Sequence, residues 1–215
     1  MSIVQLCVCF ILGYIFGNIP NGYLYAKSQG VDIYHQGSGN PGSTNVLRTL
    51  GKRAGITVLL MDIAKCMVPI FLMILFWKPA NEDQKTLILM LTGIGAILGH
   101  NFPILPGVKG GKGVACTGAL LIALAPLYTL ELLCFFILIV LTTKYVSLGS
   151  VLSVFVFFLS VLLMGKSGIL FPFSEAIYLP MCGLSLFLAL LCLFQHRENM
   201  KRLMNGTENK FGKNK

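Results

Sequence analysis

Hydrophobic residues make up 55% of the 215 residues and charged ones only 12%, against about 25% charged in ordinary soluble domains. That balance excludes a water-soluble globular domain and points to an integral membrane protein. A net charge of +9 would suit nucleic acid in a soluble chain, but in a membrane chain the position of each charge says more than the total, and no nucleic-acid partner is expected.

Seven segments are apolar enough to cross a bilayer as helices of roughly 17 to 25 residues: about 3 to 26, 54 to 77, 85 to 104, 113 to 129, 127 to 143, 145 to 164 and 176 to 194. The fold class is therefore all-α, a polytopic membrane protein. The fourth and fifth segments nearly run together at Pro126. No repeat, heptad pattern or long linker divides the chain, so residues 1–215 are read as a single domain. The first segment has no Lys or Arg ahead of it and no small-residue cleavage site, which favours a retained helix over a removed signal.

The seven cysteines, at positions 7, 9, 66, 116, 134, 182 and 192, all fall in apolar segments, where cysteine acts as a small hydrophobe. They form neither a disulfide framework nor a zinc spacing, and no metal or cofactor is expected. The paired, similarly interrupted helices of an inverted-repeat transporter are missing. Gly95 and Gly99 stand four residues apart, a spacing that lets helices approach closely.

Lysines and arginines alternate from loop to loop. Lys27, Arg48, Lys52, Arg53, Lys109, Lys112 and Lys144 follow the first, third and fifth helices, and the tail adds Arg197, Lys201, Arg202, Lys210, Lys213 and Lys215. The opposite loops hold only Lys78, Lys85 and Lys166. The positive-inside rule then predicts the N-terminus outside and the C-terminus in the cytoplasm. Three polar motifs share that cytoplasmic side.

The first is Gly37-Ser38-Gly39-Asn40-Pro41-Gly42-Ser43-Thr44-Asn45, closed by Arg48. Its glycines remove side chains where a backbone approaches a ligand, while Ser38, Asn40, Ser43, Thr44 and Asn45 offer donors around the arginine. That chemistry suits an oxyanion, and a phosphate best. Within the second helix, Asp62 and Lys65 are three residues apart. Intramembrane charges are costly, so they either pair with each other or meet a substrate.

The second motif is Gly99-His100-Asn101-Phe102-Pro103, followed by Lys109-Gly110-Gly111-Lys112-Gly113 and an apolar helix. Lysines and glycines at a helix N-terminus combine free amides, the positive helix end and two ammonium groups. It is not a Walker A loop, because Pro106 and Gly113 stand where that motif needs glycine and a hydroxyl residue. The alternative is that Lys109 and Lys112 only anchor topology.

The third motif lies in the tail: His196, Asn199, Arg202, Gly206 and Glu208. Helical spacing puts His196 and Asn199 on one face where the last helix leaves the bilayer. They either join the phosphate chemistry or belong to a basic juxtamembrane tail; for Lys210, Lys213 and Lys215 contact with acidic membrane lipid is expected.

Together GSGNPGSTNVLR, GHNFP with KGGKGVA, and HRENMKRL with GTE resemble the motifs of the bacterial acyl-phosphate glycerol-3-phosphate acyltransferases, and the likeness includes DIAK in the second helix. Ser43 stands where the family pattern has alanine, and Cys116 precedes Thr117 after KGGKGVA; both are small substitutions. The resemblance implies transfer of a fatty acyl group from acyl phosphate to the 1-hydroxyl of glycerol 3-phosphate. The products are lysophosphatidic acid and phosphate, an early step of phospholipid synthesis in a bacterial inner membrane. It needs no cofactor and no obligate protein partner.

On this reading Ser38, Arg48, Lys112, His196 and Asn199 are catalytic. Gly37, Gly39, Asn40, Gly42, Thr44, Asn45, His100, Lys109, Gly110, Gly111 and Gly113 hold substrate phosphate, with Asp62, Lys65, Arg202 and Glu208 in support. The proton of the attacking hydroxyl goes to His196, to His100 or to a substrate phosphate oxygen, and His196 is expected to position rather than serve as an obligatory base.

Other classes fit less well. Soluble-donor glycerophosphate acyltransferases use a histidine followed five residues later by aspartate, whereas His35, His100 and His196 are followed there by Asn40, Leu105 and Lys201. CDP-alcohol phosphotransferases need an aspartate-rich helix, and only Asp32, Asp62 and Asp83 are present. A transporter of a phosphorylated solute should carry polar groups through the full membrane depth, and helices five to seven are nearly uncharged inside.

Overall fold

In the computed structural model, residues 1–171 and 173–212 are described, and within them the regular structure is helical throughout. The α-helices are α1 (Ile3–Gly17), α2 (Asn21–Ser28), α3 (Ser43–Leu50), α4 (Lys52–Trp77), α5 (Glu82–Asn101), α6 (Val114–Leu124), α7 (Pro126–Thr143), α8 (Val146–Met164), α9 (Tyr178–Gln195) and α10 (Arg197–Met204). Five stretches are long and apolar enough to cross a membrane: Ile3–Ser28, Lys52–Trp77, Pro126–Thr143, Val146–Ser167 and Glu175–Gln195.

The other two expected spans differ from the sequence reading. The segment expected over 113 to 129 is a helix of only 11 residues, because Pro126 opens the next helix and Ala125, non-helical at the junction, ends α6 at Leu124. Eleven residues rise about 16 Å, half the hydrocarbon thickness. Helix α5 has the expected 20 residues, but Glu82, Asp83 and Lys85 at one end and His100 and Asn101 at the other shorten its apolar centre.

The first span is also broken. Ser2 caps α1 in a reciprocal box with Gln5, and the helix stops at Asn18, whose side-chain amide donates to the Tyr14 carbonyl at 2.7 Å. Its amide oxygen accepts the Ile104 N–H at 2.7 Å, and Pro20 then prevents the helix from resuming before Asn21. Asn18, Pro20 and Asn21 mark this break inside a stretch that is apolar on average.

The chain divides into two compact units. The first comprises Met1–Ala80 and Leu87–Ala123, the second Asn81–Thr86 and Leu124–Lys215.

In the first unit α1 and α5 meet backbone to backbone. A Cβ on Gly13 or Gly17 would strike the carbonyls of Thr92 and Ala96, and one on Gly95 or Gly99 would strike those of Phe10 and Tyr14. The small-residue spacing therefore serves helix packing, as expected. Helix α3 lies as tightly on α4, where Gly55 faces the Leu47 backbone, and Gly51, at φ +87°, makes the sharp joint between them. Ala26, Ile33, Val46, Ala54 and Val58 fill the space enclosed by α2, α3 and α4.

In the second unit α7, α8 and α9 pack in sequence. Tyr128 donates to Ser160 at 2.8 Å, and Phe171 sits edge-on to both Tyr128 and Phe157. The α8–α9 connection is pinned where the Asp83 carboxylate accepts from Ser174 N–H and hydroxyl.

Candidate active site

The glycine-rich loop of the first unit owes its shape to its own asparagines. Asn45, almost wholly buried, accepts the Ser38 N–H at 2.8 Å and donates to the Gln36 carbonyl at 2.9 Å. Asn40 accepts the Gly42 N–H at 2.9 Å. Asn45 is thus engaged at both ends of its amide inside the loop, and Asn40 through its oxygen, so both help to set the loop's shape. Gly37 and Gly39 have φ of +56° and +69°, a region that side chains avoid. Gly22 of α2 backs the loop so closely that a Cβ there would meet the Pro41 carbonyl.

The loop delivers the chain into α3, capped by Gly42 without a side-chain bond. The Asn45 and Val46 amides bond back to Gly42, so the amides of Ser43 and Thr44 open the helix as its unsatisfied donors among the described residues. Arg48 follows Thr44 by one helical turn on the same face. Amides, a hydroxyl and a guanidinium at one helix make an arrangement suited to an oxyanion.

The second motif belongs to the same unit. Gly111 donates its N–H to the His100 carbonyl at 3.1 Å. A Cβ on Gly110 would strike the backbone of Asn101, one on Gly111 the His100 ring, and one on Gly113 the Asn101 amide. These glycines are therefore required by the chain's own packing, a reason that loop composition alone did not disclose. Gly113, at φ +77°, leads into α6, whose first bond is Thr117 N–H to the Gly113 carbonyl at 2.8 Å.

Behind this motif lies a buried polar network. Lys65 Nζ is 3.1 Å from Asp62 Oδ1, 2.8 Å from the Ile19 carbonyl oxygen and 2.8 Å from His100 Nδ1. Asn21 donates to Asp62 Oδ1 at 3.0 Å. With both charged side chains only 3% exposed, the pair holds α4 to the break after α1 and to the end of α5. Substrate contact, the other option left by the sequence, does not suit groups so enclosed. His100 is likewise engaged in this network, which makes it a poor proton acceptor for a substrate hydroxyl. A small cleft beside it is lined by Asn18, Asn21, Pro41, His100, Lys109 and Gly111.

The tail motif is assembled within the second unit. His196, 2% exposed, has Nδ1 2.8 Å from the Cys192 carbonyl oxygen. With Nδ1 donating there, the neutral ring carries its lone pair on Nε2. Glu208 gathers three donors: Ser147 Oγ at 2.9 Å, Asn199 Nδ2 at 2.6 Å and Arg202 Nε at 2.8 Å. Burial pushes the Glu208 carboxyl up, but the bonds from Asn199, Arg202 and Ser147 outweigh it and hold the group below the usual glutamate value. Arg202 and Glu208 thus fix Asn199 to the start of α8.

Gly206, at φ +70°, turns the chain at the end of α10, and Phe211 N–H reaches the Lys144 carbonyl at 2.7 Å. Lys210, expected against lipid, lies 5.8 Å from the centre of the Tyr145 ring. Lys213 and Lys215 fall outside the described residues. Sequence reasoning missed Asn21, Tyr34 and Ser147, each of which meets its partner through the fold rather than through local spacing.

Glycine-shaped loops beside basic residues, in a helical chain with five stretches apolar enough to cross a membrane, are the features of a multi-pass membrane protein suited to a phosphate-bearing substrate. Comparison with known proteins narrows the class: the profile of the family described as glycerol-3-phosphate acyltransferase matches residues 7–206. The chain belongs to that family. Relatives carrying the same name are 40% identical in Clostridioides difficile (100% of both chains covered) and 43% identical in Shouchella clausii (98% of both). A crystal structure of PlsY (YgiH), an integral membrane glycerol 3-phosphate acyltransferase in its glycerol 3-phosphate form, is 32% identical. It covers 96% of each chain with a TM-score of 0.81. The lysophosphatidic acid form of that protein gives a TM-score of 0.78, covering 96% of this chain and 95% of the other.

Proposed function

We propose that this protein transfers a fatty acyl group from acyl phosphate to the 1-hydroxyl of glycerol 3-phosphate. The observation that carries the reading is the Ser38–Arg48 segment, where first-turn amides with no intrahelical acceptor stand one turn from a guanidinium, in a chain of this family. The similar solved protein is described with glycerol 3-phosphate and with lysophosphatidic acid, which supports the acceptor and the product here. The choice of acyl phosphate as donor rests on the several anion-binding elements, since both substrates then carry phosphate.

In the reaction, the acceptor's hydroxyl oxygen attacks the acyl carbonyl carbon. The bond from that carbon to the phosphate oxygen breaks, and inorganic phosphate leaves with its electron pair. No enzyme nucleophile is needed, because the donor is already activated. Arg48, Lys112, the Ser38 hydroxyl and the helix-opening amides of Ser43 and Thr44 stabilise negative charge on the carbonyl oxygen and on the departing phosphate. Glycine-shaped turns at Gly37, Gly39 and Gly42 hold that cradle. Lys109, Gly110, Gly111 and Gly113 form the second anion element.

His196 orients the acceptor, and Asn199, braced by Glu208 and Arg202, assists. The hydroxyl proton passes to His196 or to a phosphate oxygen of a substrate. The whole chain acts as one functional domain in the bacterial cytoplasmic membrane, with the polar motifs on the cytoplasmic face that basic loops favour. Purified protein given glycerol 3-phosphate and acyl phosphate should yield lysophosphatidic acid and phosphate in equal amounts. Absence of that product from folded protein would refute the reading.

A further inference from the structure

We infer that Tyr34 is a positioning residue that fastens the Lys109–Lys112 loop to the turn carrying the glycine-rich loop, so that two anion-binding elements keep one geometry. This rests on the reading of both loops as phosphate sites.

Tyr34 lies in a short 3-10 turn, Ile33–His35, two residues before the glycine-rich loop begins at Gly37. That turn is itself well fixed. Ile33 is fully buried among Ala26, Val46, Ala54 and Val58, and Asp32 accepts the Tyr34 N–H at 3.0 Å. From this base the phenol reaches across 75 positions of sequence and makes two bonds with one residue. Its oxygen accepts the Lys109 N–H at 3.0 Å, and its hydroxyl donates to the Lys109 carbonyl at 3.1 Å.

The ring is held as well. Tyr23 stacks on it with centroids 5.5 Å apart, and Lys109 Nζ lies 5.8 Å from its centre. Burial raises the phenol's pKa above its usual value, so the hydroxyl keeps the proton it donates to Lys109.

The consequence for the second loop follows from where else it is tied. Lys109 is gripped by Tyr34, and two residues later Gly111 N–H bonds to the His100 carbonyl. Upstream, the Ile104 N–H is held by Asn18, and the chain then passes through exposed Leu105. The Tyr34 clip is the tie at the start of the Lys-Gly-Gly-Lys segment itself. Loss of the clip leaves the segment able to bind phosphate but less ordered beforehand, which weakens binding without altering the bound chemistry.

Tyr34→Phe tests this, because it keeps the ring, the stack and the cation contact while removing both bonds. Amide hydrogen exchange across 109–111 should rise several-fold. The KM for at least one of glycerol 3-phosphate and acyl phosphate should rise roughly three- to tenfold, with kcat at saturation within about twofold. A variant that merely lowers the folded fraction would instead reduce kcat and leave both KM values alone. Lys109→Ala, which retains the backbone clip, should leave exchange at the native level.

Unchanged exchange in Tyr34→Phe, unchanged KM for both substrates, a fall in kcat alone, or equal loosening by Lys109→Ala would each overturn the inference. If the wild-type protein makes no lysophosphatidic acid, the functional reading fails, while the exchange comparison still decides whether Tyr34 holds the loop.

Discussion

The ammonium of Lys65 is 2.8 Å from Nδ1 of His100, a buried contact that joins the middle of α4 to the end of α5. A Lys65 N–H pointing at Nδ1 requires that nitrogen to accept, so the imidazole proton resides on Nε2, the ring atom that faces Gly111. The network therefore sets both the tautomer of His100 and the surface on which the glycine segment rests.

Removing one charge from this network should cost more than removing both. Lys65→Met leaves Asp62 buried and unpaired, a loss of about 3–5 kcal/mol, and the double variant with Asp62→Asn should recover part of it. Thermal unfolding in detergent measures the series. A Lys65→Met protein as stable as wild type would show the pair to be unimportant. Exchanging the two charges is not expected to rescue, because a carboxylate at position 65 has nothing to donate to the Ile19 carbonyl.

Glycines in the helices divide into two kinds. Gly95→Ala puts a methyl against the Phe10 carbonyl and Gly13→Ala against that of Thr92, so each should destabilise by about 1–3 kcal/mol as α1 and α5 separate. Gly183 in α9 meets nothing within 4 Å. Alanine there should be neutral or stabilising by up to about 1 kcal/mol. Comparing melting temperatures of the three variants checks this, and equal losses at all three would contradict the packing.

Glu208 predicts a pH dependence with a definite sign. Its folded pKa lies below the usual glutamate value of 4.5, so the unfolded chain takes up its proton first as pH falls. The stabilisation is fully present above 4.5 and is lost as pH drops through the lower folded value. Melting curves of wild type and Glu208→Gln should differ near neutrality and converge in acid. A gap that stays constant or widens below pH 4.5 would count against the three-donor arrangement.

The sequence made the spans legible because bilayer-length apolar runs are a strong signal, and it exposed the three motifs because glycines, amides and basic residues are conspicuous between such runs. It masked the break at Asn18–Pro20, whose Asn18, Pro20 and Asn21 stand inside a run apolar enough on average to read as one span. It also hid the purpose of particular polar groups. Asn45 resembles a ligand donor in a motif, yet its bonds run to Ser38 and Gln36. Tyr34 carried no signal, because its partner is reached only when α2, α3 and the loop after α5 have been brought together.

The most direct test of the central claim is a comparison of donors. Purified protein in lipid or detergent is supplied with glycerol 3-phosphate and, in turn, acyl phosphate, acyl-CoA or acyl carrier protein, and lysophosphatidic acid is quantified. Product is expected with acyl phosphate, with one phosphate released per acyl group transferred, and turnover is expected to be lost in Arg48→Ala. Product from the thioesters alone would contradict the assignment of the donor, and with it the reading of the polar motifs as a site for two phosphates.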